Sequence, residues 1–155
     1  MALNFTLEGP QFGKSELCAP LLRGLPDWFG IEAALEQYAA EIDRLPTFLA
    51  SNETGMIGFL ILKQHNPYTS EIYVMGVRQV AHSQGSGRAL VAAAEEWLLL
   101  QGAEYLQVKT LGPSHPDSGY ARTRAFYLAL GFRPLEEFSQ IWDENNPCLI
   151  LVKRL

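Results

Sequence analysis

A short polar loop with two glycines is the stretch of this sequence best suited to chemistry. It consists of His82, Ser83, Gln84, Gly85, Ser86, Gly87 and Arg88. A segment rich in β-branched and aromatic residues precedes the loop and predicts a strand, and helix-forming residues from Arg88 to Gln101 follow it. The first N–H groups of such a helix have no intrahelical partner, and the helix dipole adds partial positive charge there. The loop is therefore typical of a phosphate-binding turn.

The two glycines do not by themselves identify a ligand. A Walker loop requires a Lys followed by Ser or Thr, and neither pair occurs here. A dinucleotide-binding fingerprint requires a third glycine, where this chain has Leu90. A strand-to-helix turn that binds nothing is the structural alternative, and the loop pattern alone leaves it open.

The loop and the strand before it resemble motif A of the GNAT superfamily of acyl-CoA N-acyltransferases, whose loop reads Arg/Gln-x-x-Gly-x-Gly/Ala. Gly85 and Gly87 fall on the two small positions, and His82 stands where the family usually has Arg or Gln. The resemblance implies that residues 82–88 bind the pyrophosphate of coenzyme A through main-chain donors. It also implies that the pantetheine arm pairs with Met75, Gly76 and Val77 as an added strand would. A splayed strand at Gly76 would offer an N–H to the thioester oxygen.

Residues 120–132 resemble motif B of the same family, a helix that ends in Tyr-x-x-x-Gly-Phe. Tyr127, Gly131 and Phe132 match this pattern, whereas Tyr120 stands where many members have Asn. The resemblance implies that Tyr127 contacts acetyl-CoA near its sulfur and protonates the leaving thiolate. The alternative is a core tyrosine on the apolar face of the helix.

Glu71 is the candidate general base. It lies six residues before Val77, a spacing at which some members of the family place a catalytic glutamate that acts directly or through water. The alternative for this carboxylate is a solvated residue at the edge of a strand, and the sequence does not choose between the two.

The elements that must position these residues alternate between strands and helices along the chain. Strands are predicted at 3–8, 47–51, 56–63, 70–77, 104–110, 132–141 and 148–152, and helices at 15–25, 32–44, 88–101 and after the 111–119 loop. Gly9-Pro10 is expected to end the first strand, and His65 is expected to be a solvated residue of a turn. Residues 1–155 are predicted to form a single mixed α/β domain. The resemblance implies a GNAT fold with a mostly antiparallel sheet of six or seven strands and about four helices.

Composition excludes several classes of protein. A net charge of −5 over 155 residues argues against nucleic acid as a partner and suits a cationic substrate. No apolar run approaches the roughly 20 residues of a membrane helix, and the N-terminus lacks the pattern of a signal peptide. Cys18 and Cys148 show no metal-ligand spacing. A cytoplasmic protein with free thiols and no metal is expected.

The resemblance implies an N-acetyltransferase that moves an acetyl group from acetyl-CoA to a primary amine of a small molecule, by direct attack in a ternary complex. An acyl-CoA-binding sensor without turnover and a protein that binds another nucleotide are the alternatives. A homodimer is a further expectation, with the last strand as one interface. Candidate residues around the acceptor amine are aromatic or acidic: Trp28, Phe29, Tyr68, Tyr73, His115, Trp142, Asp143 and Glu144.

Overall fold

The computed structural model describes residues 4–23, 38–82, 84–116 and 118–155. Within these ranges the elements are β1 (Thr6–Gln11), α1 (Ser15–Arg23), α2 (38–42), β2 (Thr47–Asn52), β3 (Gly55–Gln64), β4 (Thr69–Val77), a 3₁₀ turn (Gln79–Ala81), α3 (Ser86–Leu100), β5 (Tyr105–Leu111), α4 (Ser118–Ala129), β6 (Arg133–Asp143) and β7 (Asn146–Arg154). The strands have the order β1-β2-β3-β4-β5-β7-β6 in one seven-stranded sheet. The predicted mixed fold with a mostly antiparallel sheet is confirmed.

The chain divides into two compact units. The first comprises Met1–Lys63 and Tyr73–Trp97, and the second comprises Gln64–Ile72 and Leu98–Leu155. The first unit therefore contains β1 to β3 and the end of β4. The second contains the start of β4 together with β5, β6 and β7.

In the first unit β1 pairs antiparallel with β2 and β2 pairs antiparallel with β3, and β3 is in turn the neighbour of β4. The β2–β3 hairpin closes at Asn52↔Gly55, and Gly55 has a φ of 116°, which favours glycine at this turn. Helices α1 and α2 pack apolar residues against the strands in one buried cluster. The cluster consists of Cys18, Leu21, Leu22, Ile42, Leu49, Met56, Phe59, Ile61 and Val74.

The start of α1 is held by a carboxylate from a distant part of the chain. Ser15 was predicted to begin this helix, and the structure confirms the position. The backbone N–H of Ser15 donates to Asp43 Oδ1 over 3.0 Å. This hydrogen bond, followed by one from the Ser15 side chain, lowers the pKa of Asp43. Asp43 therefore satisfies an N-terminal donor of α1 that the helix itself cannot satisfy.

The second unit combines one parallel pairing with two antiparallel ones. β4 pairs with β5 in parallel, and β7 pairs antiparallel with β5 on one side and with β6 on the other. Since β7 has a neighbouring strand on both edges, the expectation that the last strand pairs across a dimer interface is wrong. β6 is the edge strand of this unit.

Two predicted elements differ from the structure or are described only in part: the first strand and the helix at 32–44. β1 does not end at Gly9-Pro10 but continues to Gln11. The register shifts between Glu8 and Gln11, and an irregular edge strand tolerates a proline because no ladder hydrogen bond is needed there. The predicted helix at 32–44 is observed at 38–42 and ends before Asp43; its earlier part, together with Trp28 and Phe29, lies outside the described residues.

Candidate active site

The predicted phosphate-binding loop lies in the first unit, between β4 and α3. Gly85 has a φ of 87°, a left-handed conformation that favours glycine. Apart from Gly85 and its two chain neighbours, no described residue has an atom within 4 Å of the position that a Cβ of Gly85 would take. The first intrahelical hydrogen bond of α3 runs from Ala89 N to Gly85 O over 3.0 Å. The N–H groups of Ser86, Gly87 and Arg88 therefore precede the helical ladder and have the geometry of a site for an anion.

The loop is anchored to the strands that precede it. The imidazole of His82 donates from Nε2 to the carbonyl oxygen of Val77 over 2.8 Å, which ties the loop to the end of β4. Arg78 donates from its backbone N–H to Ile57 O and from Nε to Met56 O, each over 2.7 Å. These hydrogen bonds fix the path of the backbone into the loop.

The hydroxyl of Ser86 is a second feature of the loop that fits a ligand. Ser86 is buried, and its Oγ has no hydrogen-bond partner among the described residues. A buried polar atom without a partner is costly in a folded protein. The loop therefore combines helical N–H donors with an unused hydroxyl, and both suit a phosphate group. Gln84 and Arg88 are exposed beside it, and Ser83 lies outside the described residues.

Gly76, which was predicted as the place of an irregularity in the strand, lies in β4 beyond Ile72, where the parallel pairing with β5 ends. A Cβ on Gly76 would lie 3.2 Å from Phe59 Cε1 and 3.4 Å from Leu21 Cδ2. Close packing of the core against β4 therefore explains this glycine.

The parallel pairing of β4 with β5 covers only part of each strand. It runs from Thr69↔Tyr105 to Ile72↔Val108. β4 continues to Val77 and β5 continues to Leu111. In β4 the segment after the paired residues includes Met75 and Val77, which are both half-buried.

Tyr127 lies in the second unit, near the end of α4. It is 6% exposed, and its ring meets those of Phe126 and Phe132 at centroid distances of 5.3 and 5.5 Å. The turn after α4 depends on Gly131, whose φ is 99°, and Phe132 N donates to Tyr127 O over 3.1 Å. Burial raises the pKa of the Tyr127 phenol, so the hydroxyl is protonated at neutral pH.

Glu71 lies at the start of β4, in the second unit, and is 3% exposed. Its Oε1 is contacted by three donors: His65 Nε2 at 2.6 Å, Gln107 Nε2 at 3.1 Å and Lys109 Nζ at 3.4 Å. The interpretation of Glu71 as a solvated strand-edge residue is therefore wrong. Glu71, His65, Gln107 and Lys109 are called the Glu71 cluster below.

The structure explains how separate segments form the Glu71 cluster. Gln107 is the direct neighbour of Glu71 in the parallel pairing, and Lys109 lies two residues further along β5, on the same face. His65 comes from the turn before β4. It was expected to be a solvated turn residue, and it is exposed as predicted; its Nε2 nevertheless contacts the buried Glu71 carboxylate. Strand alternation could have placed Gln107 and Lys109 on one face, whereas nothing in the sequence paired that face with Glu71.

The turn that carries His65 is ordered by its own hydrogen bonds. Asn66 Oδ1 accepts from the backbone N–H groups of Tyr68 and Thr69, over 2.8 and 3.0 Å. The backbone N–H of His65 donates to Thr69 O over 2.9 Å. Asparagine stabilises turns through such contacts, and here they hold His65 at a fixed place before β4.

A second carboxylate network lies in the first unit. Glu41 accepts from Lys63 Nζ at Oε1 over 2.6 Å and from the Tyr73 hydroxyl at Oε2 over 2.7 Å. The Lys63 ammonium also lies 5.0 Å from the centre of the Tyr73 ring, and the Tyr38 and Tyr73 rings are 5.7 Å apart. Tyr73, a candidate for the acceptor site, is thus fixed by α2 and β3.

The remaining described candidates for the acceptor site come from three separate turns or loops and the end of β6. Tyr68 and Trp142 are exposed, and His115 is half-buried in the loop after β5. Asp143 accepts from Asn145 and Asn146 in the β6–β7 turn. In the described ranges, no group of three or more His, Cys, Asp or Glu residues could hold a metal ion. No helix in those ranges is long and apolar enough to cross a membrane.

The comparison with protein families establishes what kind of protein these elements form. Residues 43–134 match the model of the acetyltransferase (GNAT) domain. This match covers more than half of the chain, and the chain therefore belongs to the GNAT acetyltransferase family. The predicted family membership is confirmed.

Individual relatives agree with this assignment. A mycothiol acetyltransferase from Beutenbergia cavernae is 33% identical over 86 residues, which are 56% of this chain and 27% of that protein. The chain thus spans about a quarter of the length of this relative.

Two solved structures are similar over nearly the whole chain. A GNAT-family acetyltransferase from Desulfovibrio desulfuricans has a TM-score of 0.79 at 19% identity, covering 97% of this chain and 98% of that one. A GNAT family acetyltransferase from Elizabethkingia anophelis, solved with acetyl-CoA bound, has a TM-score of 0.74 at 17% identity, covering 98% and 99%. At these identities the similarity establishes the fold.

Proposed function

We propose that this chain transfers an acetyl group from acetyl-CoA to a primary amine of a small molecule, by direct attack in a ternary complex. The family is one of acyl-CoA-dependent transferases. The observation that carries the proposal is the loop at residues 82–88, with its helical N–H donors and the buried, unpaired hydroxyl of Ser86. These groups suit the pyrophosphate of acetyl-CoA.

The binding roles follow from the two motifs. Residues 82–88 bind the pyrophosphate, and Met75 and Val77 bind the pantetheine arm. The continuation of β4 beyond its parallel pairing supports the second role, because a strand segment can pair with an extended ligand. Acetyl-CoA bound to the Elizabethkingia anophelis relative supports the choice of ligand.

Two residues accept and donate protons in the proposed reaction. The amine nitrogen forms a bond to the acetyl carbon and loses a proton, which Glu71 accepts. As the carbon–sulfur bond breaks, Tyr127 donates its hydroxyl proton to the sulfur. The match of Tyr127 to the family's motif supports this role, and the phenol carries its proton at neutral pH. Tyr127 and Glu71 are therefore the proposed catalytic residues.

The cysteines favour direct transfer over a covalent acetyl-enzyme. Cys18 and Cys148 are both buried and free. Burial raises the pKa of Cys18 to about 12 and that of Cys148 to about 11. The thiolate is the nucleophilic form of cysteine, and neither side chain supplies it at neutral pH. Two free thiols also suit a cytoplasmic protein, which is where we propose that the enzyme acts.

A panel of primary amines tests the proposal. The purified protein is mixed with acetyl-CoA and each amine, and release of the coenzyme A thiol is followed with a thiol reagent. We expect release that depends on both the protein and the amine. Tight binding of acetyl-CoA without release for any amine would favour the sensor alternative. The same panel, run over a range of protein concentrations, would show whether activity follows formation of the expected homodimer.

A further inference from the structure

The Glu71 cluster has an unequal distribution of donors over the two carboxylate oxygens. All three contacts of Glu71 with described residues are made to Oε1. An ionised carboxylate has two oxygens that can both accept hydrogen bonds. Among the described residues none contacts the second oxygen, Oε2, which can therefore accept a hydrogen bond from a further group.

Donors on one oxygen also fix the orientation of the carboxylate. The terminal torsion of a glutamate side chain has a broad energy minimum, so the carboxylate plane rotates easily unless hydrogen bonds hold it. A base that is displaced by about 1 Å can lose on the order of 10²-fold in rate. The three contacts of the Glu71 cluster therefore fix the direction in which Oε2 points.

His65 makes the shortest of the three contacts, 2.6 Å from Nε2 to Oε1. A carboxylate oxygen only accepts, so Nε2 carries the hydrogen and donates it. Hydrogen bonds to a charged acceptor are short and strong. The ring is held by the turn that Asn66 closes, and its side chain is 33% exposed. His65 thus connects a rigid turn to a buried carboxylate.

We propose that His65 is a positioning residue for Glu71 and that its hydrogen bond aims Oε2 at the acceptor amine. The inference rests on the proposed function, in which Glu71 accepts the proton of that amine. His65 does not touch the substrate and acts only through Glu71. Gln107 and Lys109 support the same oxygen from β5, at longer distances.

A double-mutant cycle on turnover tests this role. The variants are His65→Leu, which removes the donor, His65→Gln, which keeps an amide N–H, Glu71→Gln, and His65→Leu combined with Glu71→Gln. Gln64→Leu is the matched control for disturbance of the turn, because it removes the hydrogen bond from Gln64 Nε2 to Asn66 O but no donor to Glu71 and neither contact of Asn66 Oδ1. Each variant is measured for kcat and KM, and for its thermal midpoint as a check of folding.

We expect His65→Leu to lower kcat by about tenfold with little change in the KM for acetyl-CoA, and His65→Gln to recover most of it. In the Glu71→Gln background, His65→Leu should have no further effect, because the residue it positions is already lost. Gln64→Leu should have the kcat of the wild type.

Two results would overturn the proposal. Equal effects of His65→Leu on kcat in both backgrounds would show a role that is independent of Glu71. A loss of kcat in His65→Gln as large as in His65→Leu would show that turnover does not depend on an N–H donor at this position. If the wild-type protein released no thiol with any amine, the proposed function would fail, and this inference would fail with it. If the wild type is active but His65→Leu and Glu71→Gln have additive effects on the free energy of activation, only the positioning role of His65 is refuted.

Discussion

Glu41 and Glu71 both accept hydrogen bonds and both form an ion pair with a lysine, but their surroundings differ. Glu41 uses both oxygens, one for Lys63 and one for Tyr73, and its side chain is 38% exposed. Glu71 receives its donors on one oxygen, and its side chain is 4% exposed. A carboxylate with hydrogen bonds on both oxygens, as in Glu41, has a structural role. A buried carboxylate with one oxygen left over is suited to receive a proton or an ammonium group.

Replacing each carboxylate by its amide gives the largest expected contrast. Glu71→Gln should lower kcat by about 10²-fold or more, because general base catalysis contributes on that scale. Glu41→Gln should change kcat by less than about threefold, because the Glu41–Lys63 ion pair is partly exposed and has only a structural role. Steady-state kinetics of both variants with the same amine measure the contrast. Similar losses of kcat in the two variants would contradict a structural role for Glu41 and a catalytic role for Glu71.

The tyrosines extend the same comparison to phenols. Tyr127→Phe should lower kcat by about tenfold and leave acetyl-CoA affinity nearly unchanged, because it removes the proton donor to the thiolate. Tyr73→Phe should lower the free energy of unfolding by about 1 kcal/mol, because Glu41 Oε2 loses its donor. Kinetics and urea unfolding of both variants separate the two effects. Unchanged turnover in Tyr127→Phe would remove Tyr127 from the mechanism.

The pH dependence of stability gives the smallest expected effect. The hydrogen bond from Lys63, followed by that from Tyr73, lowers the pKa of Glu41 below its ordinary value of 4.5. A carboxyl with a lowered pKa in the folded state contributes stability above its ordinary pKa, and this is lost as pH falls through the folded-state pKa. Glu41→Gln should therefore cost under about 1 kcal/mol at neutral pH.

As the pH falls through the lowered pKa of Glu41, the cost of Glu41→Gln should disappear, because the wild-type carboxyl becomes protonated. Urea unfolding of the wild type and the variant over a series of pH values, from neutral into the acid range, measures the difference. A cost that stays the same in acid would show that the charge of Glu41 is not what the network depends on.

The sequence predicted features that depend on local residue types. The loop at residues 82–88 was recognisable because two glycines, a strand and a helix are contiguous, and Gly85 has the positive φ that such a loop needs. The pattern at Tyr127, Gly131 and Phe132 was recognisable for the same reason. In both places neighbouring residues fix the geometry, and the structure contains the predicted elements.

Features that depend on pairing between distant segments were not predictable. The partners of Glu71 follow from the register Glu71↔Gln107 and from a turn conformation set by Asn66. Neither leaves a periodic signal in the sequence, so the contact between the exposed His65 and Glu71 was missed. The continuation of β1 through Gly9-Pro10 was missed because it depends on an irregular register with β2.

A thermal-shift titration with acetyl-CoA, with ATP and NAD as controls, tests most directly that this chain is an acetyl-CoA-dependent enzyme. A ligand that binds only the folded state adds about 2.7 kcal/mol of stability at a hundredfold excess over its Kd. For a chain of this size that corresponds to a shift of roughly 5–10 °C. We expect this shift with acetyl-CoA alone. No shift at millimolar acetyl-CoA, or an equal shift with ATP, would contradict the assignment of residues 82–88 as its pyrophosphate site.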